Sequence, residues 1–463
     1  MKRAEKKLTA DKTRQAFHLT GERGWINDPN GCIYFQGKYH VFFQHHPYST
    51  QWGPMHWGHA VSSDLVHWEH LPLALYPDRE YDKDGCFSGT AVAVGDRLYL
   101  MYTGVKADGG GKAAHQVQCL AYSDDGVYFQ KCERNPVIGS AQLPEGYSPF
   151  DFRDPKLIRH NNAYYCLAAA RKIGGGGRVL VYRSDNLLDW TFCCDLFGSD
   201  PPNGDMIECP DCFVPHDLFI CSLQFVTDGK AGNRNVHTSQ YAVGKNKTLA
   251  DMQPLDYGFD FYAPQTFYDG KDLWMIAWQQ MWDRNIPTAK FGWAGGMTLP
   301  RKLEIRNGAL WQTPCDLSAY YGESIVRQGK ELSDALALRG DCYVLRLQAA
   351  SAKDFRLTLK ADNEHGTVLS YAQGAGLKLC RARSGEEIIG VEKDEDSLAQ
   401  IRRMPLDADE IDVTMIVDRY SVEVFADGKT LSATVCAPMG ADGISLSGEL
   451  SDWKLTKHEL QTE

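Results

Sequence analysis

Trp25-Ile26-Asn27-Asp28-Pro29-Asn30-Gly31 leads into Ile33-Tyr34-Phe35-Gln36, a Gly37-Lys38 turn, and Tyr39-His40-Val41-Phe42-Phe43-Gln44. The two apolar runs are β-branched or aromatic almost throughout and carry no 3.6-residue stripe. They predict buried strands joined by a tight hairpin rather than a helix. The same unit recurs four more times before residue 280. Its turns fall at Gly95-Asp96, Asn161-Asn162, His216-Asp217 and Asp269-Gly270. The polar segments ahead of them are Phe87-Ser88-Gly89, Phe152-Arg153-Asp154-Pro155, Glu208-Cys209-Pro210-Asp211 and Asp260-Phe261-Tyr262-Ala263-Pro264. A hairpin unit repeating every roughly 50–65 residues is the mark of a β-propeller, here with five blades. In that architecture the starts of the inner strands face one central channel. Asp28, Asp154 and Glu208 occupy the same place in the repeat, so they are expected to meet.

A second repeat supports the blade count. Ser63-Asp64, Ser123-Asp124 and Ser184-Asp185 each precede an aromatic (Trp68, Tyr128-Phe129, Trp190), and their Asp residues lie 60 and 61 positions apart. Each Ser-Asp pair is expected to cap a turn through its side chains, and each aromatic to pack between neighbouring blades.

The pattern changes after about residue 310. Polar spacers (Arg327-Gln328-Gly329-Lys330 and Glu392-Lys393-Asp394-Glu395-Asp396) separate alternating strands such as Tyr343–Leu347, Phe355–Lys360, Leu377–Cys380 and Asp412–Val417. Period-2 alternation with short turns predicts a β-sandwich. The expected chain is all-β: a five-bladed propeller over residues 1–315 and a sandwich over 330–463, with a helical turn near Asp316 to Tyr320 between them.

Size and composition agree with this division. A chain of 463 residues exceeds one ordinary core, and 43% hydrophobic with 24% charged residues is a globular balance. A net charge of −11 argues against a nucleic-acid partner, which needs a basic surface. The charged start Met1-Lys2-Arg3-Ala4-Glu5-Lys6-Lys7 is not followed by an apolar signal core, and no long apolar run reads as a membrane span. The 14 Cys are scattered through apparent strands, as expected of reduced, mostly buried thiols in a cytoplasmic protein.

The chemistry lies in the carboxylates. Pro29 fixes its own backbone torsion and biases Asp28 towards an extended form, which holds that carboxylate rigidly. Glu208 stands on another blade. Two carboxyl groups flanking a glycosidic bond suffice to cleave it, one attacking the anomeric carbon and the other protonating the leaving oxygen. Arg153 is expected to favour the charged form of nearby carboxylates.

The motifs around Asp28, Ser88, Asp154 and Glu208 resemble, in order and spacing, the signatures of the invertase family, glycoside hydrolase family 32. Gln44-His45-His46-Pro47, Trp52-Gly53-Pro54, Asp260–Gln265, Gly292-Trp293-Ala294-Gly295 and Ser421-Val422-Glu423-Val424-Phe425 are similar to further family segments. Ile26 and Ile207 depart from residues common there. The resemblance implies a five-bladed propeller followed by a sandwich. It also implies Asp28 as nucleophile, Glu208 as general acid/base and Asp154 as stabiliser of the transition state. Asn27, Gln44, Trp52, Phe87, Ser88, Arg153, Tyr262 and Trp293 would bind substrate. The implied activity is a retaining β-fructofuranosidase acting on sucrose or sucrose 6-phosphate. A fructosyltransferase or short-fructan hydrolase and a non-catalytic fructan-binding protein are the alternatives.

Other signals are set aside. Cys209-Pro210-Asp211-Cys212 has redox spacing but lies in a strand-rich repeat rather than at the start of a helix. Seven His between His40 and His70 match neither of the common zinc patterns and read as polar packing. Gly109-Gly110-Gly111-Lys112 and Gly174 to Gly177 complete no phosphate loop. No metal or cofactor is expected. The expected partner is a small sugar, with no nucleic acid or membrane, and oligomeric state is unread.

Overall fold

The computed structural model describes residue 9 and residues 11–107, 114–201, 203–226, 235–282, 284–332, 334–390, 400–408 and 410–462. The charged start at residues 1–7, the loop around Lys112 and the acidic spacer Glu392 to Asp396 lie outside them. Five antiparallel sheets follow one another along the first two thirds of the chain. Their inner strands are Gly24–Phe35, Gly85–Val94, Tyr147–His160, Asn203–Phe213 and Tyr262–Tyr268. Each runs into its second strand through one of the five turns read from the sequence. Alternation fails in these strands because both faces pack: blade 1 buries Val41, Phe42 and Phe43 consecutively. The blades form a five-bladed propeller. A two-residue strand, Trp293–Ala294, leaves blade 5 and pairs in parallel with Gly24 and Trp25 of blade 1, which closes the ring.

The capped turns are real but stand one residue away from the expected pairs. Ser62 Oγ accepts from Leu65 N at 2.8 Å, and Asp64 Oδ1 from His67 N at 2.9 Å. Ser123 accepts from Gly126 N at 2.9 Å and Asp125 from Tyr128 N at 2.9 Å. Ser184 accepts from Asn186 N, and Asn186 from Asp189 N. The working pattern is Ser-x-Asp/Asn, because the hydroxyl and the carboxyl must each reach amides two or three residues ahead. The aromatics that follow do bridge blades. Phe129 of blade 2 meets Phe42 of blade 1 edge-on, with centroids 5.4 Å apart.

A 3₁₀ turn, Ser318–Tyr320, leads from the propeller into ten further strands. They make a β-sandwich-like sheet folded on itself. Two long strands, Tyr343–Ala361 and Gly443–Leu460, pair with each other along most of their length. The first half of Tyr343–Ala361 pairs with Ile411–Val417 and the second half with Thr367–Ala372. A register shift between Ala352 and Asp354 marks the change of layer. Leu345, Leu347, Val413, Val422 and Val424 of one layer share a core with Leu357, Leu359, Leu369 and Leu379 of the other.

The two parts are joined by buried charge. Arg301, fully buried, donates to Asp256 at 3.0 Å and Glu423 at 2.8 Å, and to the hydroxyls of Thr430 and Ser432. His18 spans Asp418 (2.8 Å) and Glu423 (2.9 Å). Asp418 also accepts from the amides of Ala16 and Phe17, and Glu423 from Leu299 N. Among the described residues no helix is long and apolar enough to cross a membrane.

Candidate active site

All five inner strands carry a register shift at the polar segment ahead of the hairpin. In blades 3, 4 and 5 the two residues that oppose a single partner are Asp154-Pro155, Cys209-Pro210 and Ala263-Pro264. Proline has no N–H to lose, so it tolerates leaving the ladder. The residue before it is left-handed in each case: φ is 59° at Asp154, 46° at Cys209 and 50° at Ala263. Such φ values in non-glycine residues cost of order 1–3 kcal/mol each and gather where a chain aims side chains at a site. In blade 1 Asn27-Asp28 together oppose one partner residue, and in blade 2 Ser88 is the extra residue.

The three carboxylates therefore do not share one phase, as the repeat had led us to expect. Asp154 is the first bulge residue, Asp28 the second of its pair, and Glu208 directly precedes its bulge. The offset follows from the bulges, which displace each strand differently, and it lets the three groups approach one volume from different sides.

Their partners place them together. Asp28 accepts from Ser88 Oγ at 2.7 Å and from Asn27 Nδ2 at 3.0 Å, and Asn27 Oδ1 in turn accepts from Trp25 Nε1 at 2.8 Å. Asp154 accepts from the backbone N–H of Cys209 at 3.0 Å, while its own N–H donates to Thr103. The thiol of Cys209 reaches both aspartates, at 3.6 and 3.7 Å. Glu208 Oε1 accepts from Arg153 Nη2 at 2.8 Å and Nε at 3.1 Å, and Oε2 from the Tyr262 hydroxyl at 2.8 Å. Asp28 and Asp154 are buried, and the side chain of Glu208 is 14% exposed.

The electrostatics reverse one expectation. Arg153 does not hold the aspartates in the usual carboxylate range. Burial pushes the Asp28 carboxyl up, the charge of Glu208 adds to this, and the Ser88 and Asn27 hydrogen bonds offset only part. Burial pushes Asp154 up to about 7; Arg153 opposes this, but the charges of Glu208 and Asp28 add to it. The guanidinium is committed to Glu208 and stands 3.9 Å from Asp154, so little of its charge offsets the burial of the aspartates.

The remaining predicted binding residues divide. Gln44 is buried and donates to Cys86 O. Phe87 adjoins Ser88 and meets Trp52 edge-on at 5.9 Å, and Trp52 is 51% exposed. Trp293 is a correction. It is 3% exposed, donates to Thr13 O and packs on Tyr420 of the sandwich, while its backbone pairs with Gly24. Trp25, Trp278 and Trp282 instead pack together beside Tyr262 and Cys209, with Trp278 fully buried. The sequence reading missed Trp278, Trp282 and Cys209. The Cys209-x-x-Cys212 spacing singled out Cys209, but for another chemistry; all 14 cysteines are free thiols. His40 and His59 bond one another at 3.0 Å, and no group of described residues is arranged to hold a metal ion.

Residues 18–314 match the N-terminal domain of glycosyl hydrolases family 32, and residues 317–460 match its C-terminal domain. The chain is a family 32 glycoside hydrolase. It is 36% identical to a sucrose-6-phosphate hydrolase of Zymomonas mobilis, the match covering 97% of this chain and 91% of that protein. It is 37% identical to an Escherichia coli raffinose invertase, covering 96% and 94%. Among solved structures, a Lactobacillus gasseri sucrose-6-phosphate hydrolase superposes with a TM-score of 0.86 at 28% identity, covering 98% and 94%. A variant of a Bombyx mori family 32 β-fructofuranosidase, solved in complex with sucrose, superposes with a TM-score of 0.83 at 31% identity, covering 98% and 95%. The two departures from common family residues point into the core of this glycoside hydrolase. Ile26 and Ile207 are both fully buried in apolar clusters, where their volume rather than their chemistry matters.

Proposed function

We propose that this glycoside hydrolase cleaves the fructosyl bond of sucrose or sucrose 6-phosphate with retention of configuration. Asp28 attacks the anomeric carbon of the fructosyl unit and forms a covalent ester. Glu208 gives its proton to the departing oxygen, then takes one from the water that opens the ester. Asp154, anchored by two backbone-linked hydrogen bonds, accepts from fructose hydroxyls and favours the oxocarbenium-like transition state. Asn27 and Ser88 orient Asp28, Arg153 and Tyr262 orient Glu208, and Gln44, Trp52 and Phe87 shape the pocket wall. The observation that carries this reading is the contrast in partners. Asp28 is buried and held by neutral donors, Ser88 Oγ and Asn27 Nδ2, whereas Glu208 is partly exposed and held by the Arg153 guanidinium and the Tyr262 hydroxyl. The names of the relatives support sucrose and its 6-phosphate as substrates, and a cytoplasmic location with them. Residues 1–315 are taken as the catalytic unit and 330–463 as its support.

The test is fructose release from sucrose, sucrose 6-phosphate, raffinose and inulin, with NMR of the anomer formed first. Highest kcat/KM on sucrose or its phosphate, with retention, is the expected result. Inversion, preference for inulin, or binding without cleavage overturns the proposal.

A further inference from the structure

Behind the Arg153–Glu208 pair lies a second tier of charge that the reaction does not use directly. Arg153 Nη1 is 3.5 Å from Asp151 Oδ1 on its far side from Glu208. Asp151 Oδ2 is 3.9 Å from Arg171 Nη1 and accepts from Ser148 Oγ at 3.2 Å. Arg171 Nη2 in turn pairs with Asp205, whose other oxygen accepts from Gly176 N at 3.3 Å. Register explains the ladder. Arg153 is paired with Ala169 and Phe152 with Ala170, and the register then shifts, so that Ser148 to Asp151 lie across from Arg171 alone. Asp205 and Glu208 belong to one strand of blade 4. Charges thus alternate from Glu208 through Arg153, Asp151 and Arg171 to Asp205.

We propose that Asp151 and Arg171 are positioning residues, holding Arg153 between two carboxylates and so setting how much of its charge reaches Glu208. This rests on the reading of Glu208 as the acid/base. The groups that face Glu208 are Arg153 and Asp154 from blade 3, Asp28 from blade 1, Tyr262 from blade 5 and Cys209 beside it. Asp151 competes for Arg153 and adds a like charge; Arg171 neutralises that charge. The two side chains must therefore act in opposite directions.

The experiment is the pH profile of kcat/KM on sucrose for Asp151→Asn, Arg171→Gln and the double variant. Removing the Asp151 charge favours ionised Glu208 and moves the alkaline limb to lower pH by about half a unit. Removing Arg171 leaves Asp151 uncompensated and moves it to higher pH by a similar amount, and the double variant shifts less than Arg171→Gln. Arg171→Lys, which keeps the charge, must keep the wild-type limb even if Arg171→Gln folds poorly. An unmoved limb in Asp151→Asn, a displaced limb in Arg171→Lys, or shifts of the same sign in the two single variants overturns the proposal. Glu208→Gln separates the two readings. If the alkaline limb persists in that variant, the assignment of Glu208 fails; if it vanishes there while the other variants leave it unmoved, only the present inference fails.

Discussion

Two sets of three carboxylates lie in this chain, and their surroundings are opposite. At the channel mouth the Arg153 guanidinium pairs with Glu208 and stands 3.9 Å from Asp154, while Asp28 is held by the neutral Ser88 and Asn27 side chains. Between propeller and sandwich, Asp256, Asp418 and Glu423 are met by Arg301, His18 and a ring of amides and hydroxyls. Burial acts on Asp28, Asp154, Asp418 and Glu423 in the same sense, raising each carboxyl. In the interdomain set it is overcome: the His18 hydrogen bond and charge, with the Ala16 and Arg419 amides, bring Asp418 down to about 2. Burial would likewise raise Glu423, but Arg301 and His18 hold it below the usual range. In the site set burial wins, and Asp28 and Asp154 are pushed up. Burial alone does not mark a reactive carboxylate. Burial with too few counter-charges does, because there the protein keeps proton affinity and charge in balance instead of locking one form.

The comparison is broken most directly by exchanging the charged groups on each side. In the site, Asp28→Asn removes the attacking oxygen and should lower kcat at least about a thousandfold, and Glu208→Gln about 10²–10⁴-fold, with thermal unfolding near wild type. Near-normal sucrose cleavage by either variant removes the site set from the chemistry.

In the interdomain set the loss should appear in stability instead. Arg301→Met leaves Asp256 buried without its cation and Glu423 with His18 alone, and should cost roughly 3–5 kcal/mol in denaturant unfolding. The same set has a pH signature. Burial would lower His18, but its bonds to Asp418 and Glu423 raise it to about 9. A raised folded value means that its stabilisation, about 3 kcal/mol, is fully present below pH 6.5 and is lost as pH rises through about 9. Wild type should therefore weaken across that alkaline window, and His18→Gln should weaken much less across it. Parallel curves for the two proteins contradict a charged His18.

The smallest effect has the reverse sign. Asp154 is raised from 3.8 to about 7, so the folded state holds its proton more tightly than the unfolded chain. Its cost to stability is absent below pH 3.8, grows across the interval and is complete above about pH 7. Asp154→Asn should stabilise the fold by roughly 1–3 kcal/mol near pH 8 and hardly at all near pH 4. A variant that is less stable at both pH values shows that Asp154 is held as firmly as the interdomain acids.

Some of this was written in the chain itself. Hairpins are local, since a turn and two apolar runs within about 20 residues specify each other. The five copies therefore announced the propeller, and alternation announced the sandwich. The spacing of the motifs also pointed to Asp28, Asp154 and Glu208 as one group, because a repeated unit carries equivalent positions to equivalent places. What the sequence could not contain was the consequence of long-range closure. Trp293 sits in a motif much like the site segments, yet it packs on Tyr420 of the sandwich while its backbone pairs with Gly24. The bulges that give the three acids different phases became visible only in the strand register. His18, Arg301 and Glu423 are separated by hundreds of residues, and no local pattern links them. Counter-charge is a sum over neighbours in space, so the sequence by itself determined which acids the protein owns and in which blades, and only the tertiary structure decided which of them were neutralised and which were left ready to react.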